Sequence, residues 1–110
     1  MEITKLADNL GLDADDFVEL FELYMQTTAC DLKELRAGLK AGDAEQVHKK
    51  AHSIKGSSGN LGLDELYRLA RDIDDRARVG SLDGLEDLLQ VFDNKYENFV
   101  EDFEKDRSVC

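Results

Sequence analysis

His52, Lys55 and Gly56 lie within one helical turn of each other in the stretch Ala51-His52-Ser53-Ile54-Lys55-Gly56-Ser57-Ser58-Gly59-Asn60-Leu61-Gly62. Their types and spacing suit a nucleophile that another protein's surface could reach. Val47, Ala51, Ile54 and Ser58 recur at helical spacing, so the stretch reads as a helix with a narrow stripe of small residues facing a core. His48, His52, Lys55 and Gly59 recur at the same spacing one position on, which puts them at the edge between core and water. Glycine in a helix interior costs about 1 kcal/mol relative to alanine. Gly56 therefore asks for a reason, and a notch of bare backbone beside the His52 imidazole supplies one.

The charge around these residues points the same way. Residues 46 to 63 contain Lys49, Lys50 and Lys55 and no acidic residue, in a chain whose net charge is −11. An imidazole in water is mostly unprotonated at neutral pH, so one ring nitrogen keeps a lone pair that can attack phosphorus without a separate base. Ammonium groups one turn away would stabilise the dianionic phosphoryl group that results. The competing explanation, that the lysines only keep an exposed face soluble, leaves Gly56 and the missing acids unexplained. A second competitor is a metal site, because His48 and His52 stand at i and i+4 with Glu45 one turn earlier. Three neighbouring lysines oppose a dication, and no metal is expected. Gly56, Gly59 and Gly62 also spell a glycine-rich loop, but no strand precedes them and no Gly-Lys-Ser/Thr follows, so a nucleotide site is rejected.

The run from Ala51 to Gly62, followed by Leu66 and by Arg-Leu-Ala-Arg at 68 to 71, closely resembles the signature of histidine-containing phosphotransfer (HPt) domains. The resemblance in pattern extends over nearly the whole chain. It implies an antiparallel four-helix bundle in which the matching histidine takes a phosphoryl group from a receiver-domain aspartate and gives it to another. On that basis His52 is expected to carry the group as a phosphoramidate and Lys55 to stabilise it. Gln46, His48, Lys49, Ser53, Gly56 and Gly59 are expected on the docking face. The expected partners are a response-regulator receiver domain and a histidine or hybrid kinase. No cofactor is expected on this chain, and Mg²⁺ and the aspartate belong to the receiver. A rival from another class is a helical adaptor that keeps the fold and has lost transfer.

The elements that must position these residues follow from periodicity. With no proline, 42% hydrophobic and 35% charged residues and no alternating strand pattern, the 110 residues read as one all-α domain. A short first helix over Ile3, Leu6, Ala7 and Leu10 stops at Gly11. Asp13 can cap a long second helix whose core stripe is Phe17, Leu20 or Phe21, Tyr24, Thr28, Leu32, Leu35 and Leu39, with Val18 and Met25 off it. Lys40-Ala41-Gly42-Asp43 forms a tight connection to the histidine helix, expected from about Ala44 to near Asn60. A fourth helix turns Leu63, Leu66, Ala70, Ile73 and Ala77 inward, with Glu65, Asp72, Asp74 and Asp75 expected on solvated faces. A fifth carries Leu85, Leu89, Phe92, Tyr96, Phe99 and Phe103, and residues from about 105 to 110 are expected to fray. The acidic balance argues against nucleic-acid or anionic-membrane partners. Without a signal peptide or spanning segment, a monomer in the cytoplasm with Cys30 and Cys110 reduced is the expectation.

Overall fold

The computed structural model describes the backbone of residues 3–108 and side chains through residue 105. Five helices follow in order: α1 (Ile3–Asn9), α2 (Ala14–Ala41), α3 (Ala44–Asn60), α4 (Asp64–Arg78) and α5 (Leu85–Ser108). Asp13 and Asp43 cap α2 and α3 by accepting from the backbone N–H groups of Asp16 at 2.8 Å and Gln46 at 3.1 Å. Gly42 closes α2 in the left-handed conformation at φ 70, which lets the Asp43 N–H reach back to the Gly38 carbonyl at 2.8 Å. Gly62, at φ 72, reverses the chain after α3 in the same manner. Both turns leave room for few residues, so α3 must run antiparallel to α2 and to α4.

α3 packs between α2 and α4, α5 packs against α4 and α2, and α1 lies against α2. The apolar stripes meet in one core, with Phe17, Phe21, Leu35, Val47, Ile54, Leu66, Ile73, Leu85, Phe92 and Phe103 buried. Fully burying such a side chain stabilises by about 1.5–3 kcal/mol, whereas exposed ion pairs contribute about 0–1. Apolar register, not surface charge, therefore sets how α3 sits. Phe21 fills the position left open between it and Leu20, stacking on Phe103 with ring centroids 4.4 Å apart, while Leu20 is exposed. Val18 and Met25 pack at the periphery of the core. Within the bundle Tyr24 and Ser58 share a hydrogen bond of 2.8 Å that ties α2 to α3. Burial pushes the Tyr24 phenol up to about 12, against the opposing effect of that bond.

Two expectations change in the structure. The α5 backbone stays helical through Ser108, where fraying was expected from about residue 105, because nothing between Glu104 and Ser108 breaks a helix. Asp74, expected on a solvated face, is completely buried. It lies four residues after Ala70 and three before Ala77, on the edge of the inward stripe of α4, and α3 covers it. Cys30 is exposed and unbridged, and Cys110 lies outside the described residues. Among the described residues no helix is long and apolar enough to cross a membrane.

Candidate functional site

At 100° per residue, α3 sorts the sequence-predicted residues into three strips. Lys49, His52 and Gly56 are exposed along the outer crest. His48 and Lys55 turn toward α4, and Gln46 and Ser53 turn toward α2. On the α2 side, the Gln46 amide donates to the Glu34 carbonyl at 2.7 Å, the Ser53 hydroxyl donates to Asp31 at 2.8 Å, and Lys50 pairs with Glu34 at 2.5 Å. These contacts follow from the rotation that the apolar stripe sets for α3 and add to it. Lys49 approaches Glu45 at 3.8 Å with both side chains well exposed. Neighbouring carboxylates thus meet the lysines of the acid-free window.

The glycines differ in kind. A side chain at Gly56 would enter open space, so its absence serves nothing inside the bundle. At Gly59 an added Cβ would lie 3.2 Å from the Tyr67 ring, so this glycine allows α3 and α4 to approach closely.

On the α4 side the chemistry converges on Asp74. Its Oδ1 pairs with His48 Nδ1, and its Oδ2 receives His52 Nδ1 at 3.2 Å, Lys55 Nζ at 3.3 Å and Arg78 Nη2 at 3.2 Å. Burial pulls the Asp74 carboxyl upward. The hydrogen bonds from His48, His52 and Lys55 and the Arg78 charge outweigh it and hold the group below the usual carboxylate range. An ionised carboxylate only accepts, so each histidine must present its Nδ1–H to Asp74. In a neutral His52 the lone pair then resides on Nε2. The His52 side chain is 59% exposed against 25% for His48, which separates two imidazoles that are otherwise bound alike. Asp74 and Arg78 were missed in the sequence. The i+4 step from Ala70 to Asp74, and from Asp74 to Arg78, was the signal that could have found them.

Both histidines turn Nδ1 to the same carboxylate, and Glu45 lies beside Lys49 rather than joining them. Among the described residues no group of three His, Cys, Asp or Glu side chains is placed to hold a metal ion.

A family model, the Hpt domain, matches residues 19–102. The chain belongs to the Hpt domain family. This Hpt domain is similar to the phosphorelay protein LuxU of Vibrio vulnificus, with 27% identity over 97 residues that cover 87% of this chain and 83% of LuxU. It is also 33% identical over 87 residues to the chemotaxis protein CheA of Rhizobium meliloti, covering 69% of this chain but 12% of CheA. The crystal structure of histidine-containing phosphotransfer protein B from Pseudomonas aeruginosa PAO1 superposes with a TM-score of 0.85 at 27% identity, over 96% of this chain and 91% of that one. The helical bundle and the HPt membership expected from the sequence are both found, and the Hpt domain is a histidine phosphotransfer protein of two-component signalling.

Proposed function

We propose that His52 is the phosphoacceptor, taking the group from a receiver aspartate and returning it to another. The supporting observation is the bond from His52 Nδ1 to a buried, ionised Asp74 on a ring that is otherwise mostly exposed. Nε2 attacks the phosphorus of the aspartyl phosphate, the N–P bond forms, and the P–O bond breaks to release the aspartate as a carboxylate. No proton has to leave Nε2. The ring gains positive charge as the bond forms, and Asp74 lies where it stabilises that charge. Lys55 and Arg78 both rest on Asp74 Oδ2, the oxygen that meets His52, and would lend positive charge to the new phosphoryl group. The receiver supplies Mg²⁺ along with its aspartate, and a histidine or hybrid kinase stands upstream. The place of action is the cytoplasm, where these partners work.

Incubation with a phosphorylated receiver domain tests this. Label should pass to the Hpt domain in a bond labile to acid and comparatively stable to alkali. An adaptor that has lost transfer would bind the receiver and stay unlabelled.

Gly56 tests the docking face separately. Its site is open, so Gly56→Gln fits without a clash and should keep or slightly raise the melting temperature. The added side chain would hold a receiver away from His52. Reacting atoms must come within about 3 Å, and a misplacement of about 1 Å can cost roughly a hundredfold in rate. Transfer should slow at least about tenfold in Gly56→Gln, with Gly56→Ala between it and wild type. A Gly56→Gln protein labelled at the wild-type rate would show that no partner surface closes over this position.

A further inference from the structure

Asp74 has two carboxylate oxygens and four partners, and they are divided unevenly. Oδ2 takes His52, Lys55 and Arg78, whereas Oδ1 takes His48. The imidazoles of His48 and His52 are successive rungs of one helix face, with ring centroids 6.0 Å apart. A carboxylate rotates about its last torsion unless both oxygens are held. Held by Lys55 and Arg78 alone, the group would be free to turn toward either cation and share both oxygens between them. The His48 N–H opposes that rotation from the other side. His48 also contributes little to the apolar core, since Val47 and Ala51 on either side of it face inward and its own ring lies at the border.

We propose that His48 is a positioning residue for phosphotransfer: its Nδ1–H fixes the carboxylate plane of Asp74 so that Oδ2 faces His52 and holds the acceptor ring in its Nδ1–H form. This goes beyond a docking role for His48 and rests on His52 being the acceptor. His48 forms no bond to phosphorus. It acts through Asp74, and what it supplies is a hydrogen-bond donor at the place of its Nδ1. The amide nitrogen of asparagine occupies nearly the same place, which makes Asn the conservative substitute and Ala the deletion.

The test compares the full chain as wild type, His48→Ala, His48→Asn and His52→Gln. The rate of labelling by a phosphorylated receiver is measured together with the ¹⁵N resonances of the His52 ring, which report its tautomer. Alanine suits a helix and position 48 is not core, so His48→Ala should keep the helical signal. Its transfer should slow at least about tenfold and the His52 tautomer should shift away from Nδ1–H, because the oriented nucleophile is what the step needs. His48→Asn should restore both to within about threefold of wild type. Wild-type labelling and an unchanged His52 tautomer in His48→Ala would overturn the positioning role, as would an Asn variant no better than Ala. His52→Gln separates the two ideas: label that persists there refutes His52 as acceptor whatever His48 does, and its loss beside a normal His48→Ala refutes the positioning role alone.

Discussion

His52→Gln should take no label from a phosphorylated receiver and should keep the helical circular-dichroism signal of the wild type. The amide nitrogen of glutamine has its lone pair delocalised into the carbonyl, so it cannot attack phosphorus, although it can still hydrogen-bond to Asp74. Stability should hardly change, because a side chain 59% exposed at the crest of α3 adds little to the core. The bond lost is recognisable by its chemistry, since protonating a phosphoramidate nitrogen makes it a good leaving group. His48 should remain unlabelled in the variant, being less than half as exposed as His52. Label surviving in His52→Gln would refute the assignment.

Asp74→Asn is expected to have the next largest effect. The amide is nearly isosteric but offers one acceptor oxygen, and its NH₂ meets the histidine N–H groups as a donor facing donors. One imidazole must lose its partner or switch to the Nε2–H tautomer, which for His52 moves the lone pair to the Nδ1 that faces Asp74 in the wild type, and Lys55 and Arg78 lose their counter-charge. Transfer should slow by about a hundredfold, the cost of a misplaced nucleophile. Stability should fall by about 1.5–3 kcal/mol, the range for hydrogen bonds to a charged group. It should not reach the roughly 3–5 kcal/mol of a wholly buried broken pair, because Arg78 and His52 are more than half exposed and water can take over their bonds.

The pH dependence of that difference has a definite sign. Asp74 is held below its ordinary value of 3.8, so its contribution is fully present above that value and is lost as pH falls through the lower folded-state value. The gap between wild type and Asp74→Asn should be widest near neutrality and should close in strong acid. Thermal melts over an acid series measure it. A constant gap down to the lowest pH would mean that Asp74's charge contributes no net stability, and wild-type transfer by Asp74→Asn would limit the residue to a structural role.

The helices, the core and the identity of the exposed histidine were legible because each depends on spacing within one segment. Val47, Ala51, Ile54 and Ser58 had to face inward together, and that placed His52 outside. Phe21 could not be chosen over Leu20 from spacing alone, since both positions sit on the same side of α2 and the choice is made by Phe103 from the far end of the chain. Asp74 was misplaced for a different reason. An acid in a charged helix is ordinarily solvated, and the i+4 steps to Ala70 and Arg78 mark Asp74 as a border position without showing that α3 lies over it. Of the partners that make its burial tolerable, only Arg78 is near in sequence; His52 and Lys55 are 22 and 19 residues away and are brought to it by the turn at Gly62. The absence of acids around His52 was real in sequence but not in space.

The crest of α3 at His52 and Gly56 is a ridge, and a ridge cannot keep water out. Enzymes that protect a reactive intermediate do so by enclosing it. A phosphoryl group standing on an exposed helix has no wall of its own, so between encounters its lifetime is governed by the hydrolytic chemistry of the N–P bond in bulk solvent. Concavity, in-line approach and the choice among competing regulators then have to come from the surface that closes over the ridge. With His52 as the proposed acceptor, one such Hpt domain would serve any receiver whose hollow fits, and its phosphorylated fraction in the absence of a receiver would become a clock set by spontaneous hydrolysis.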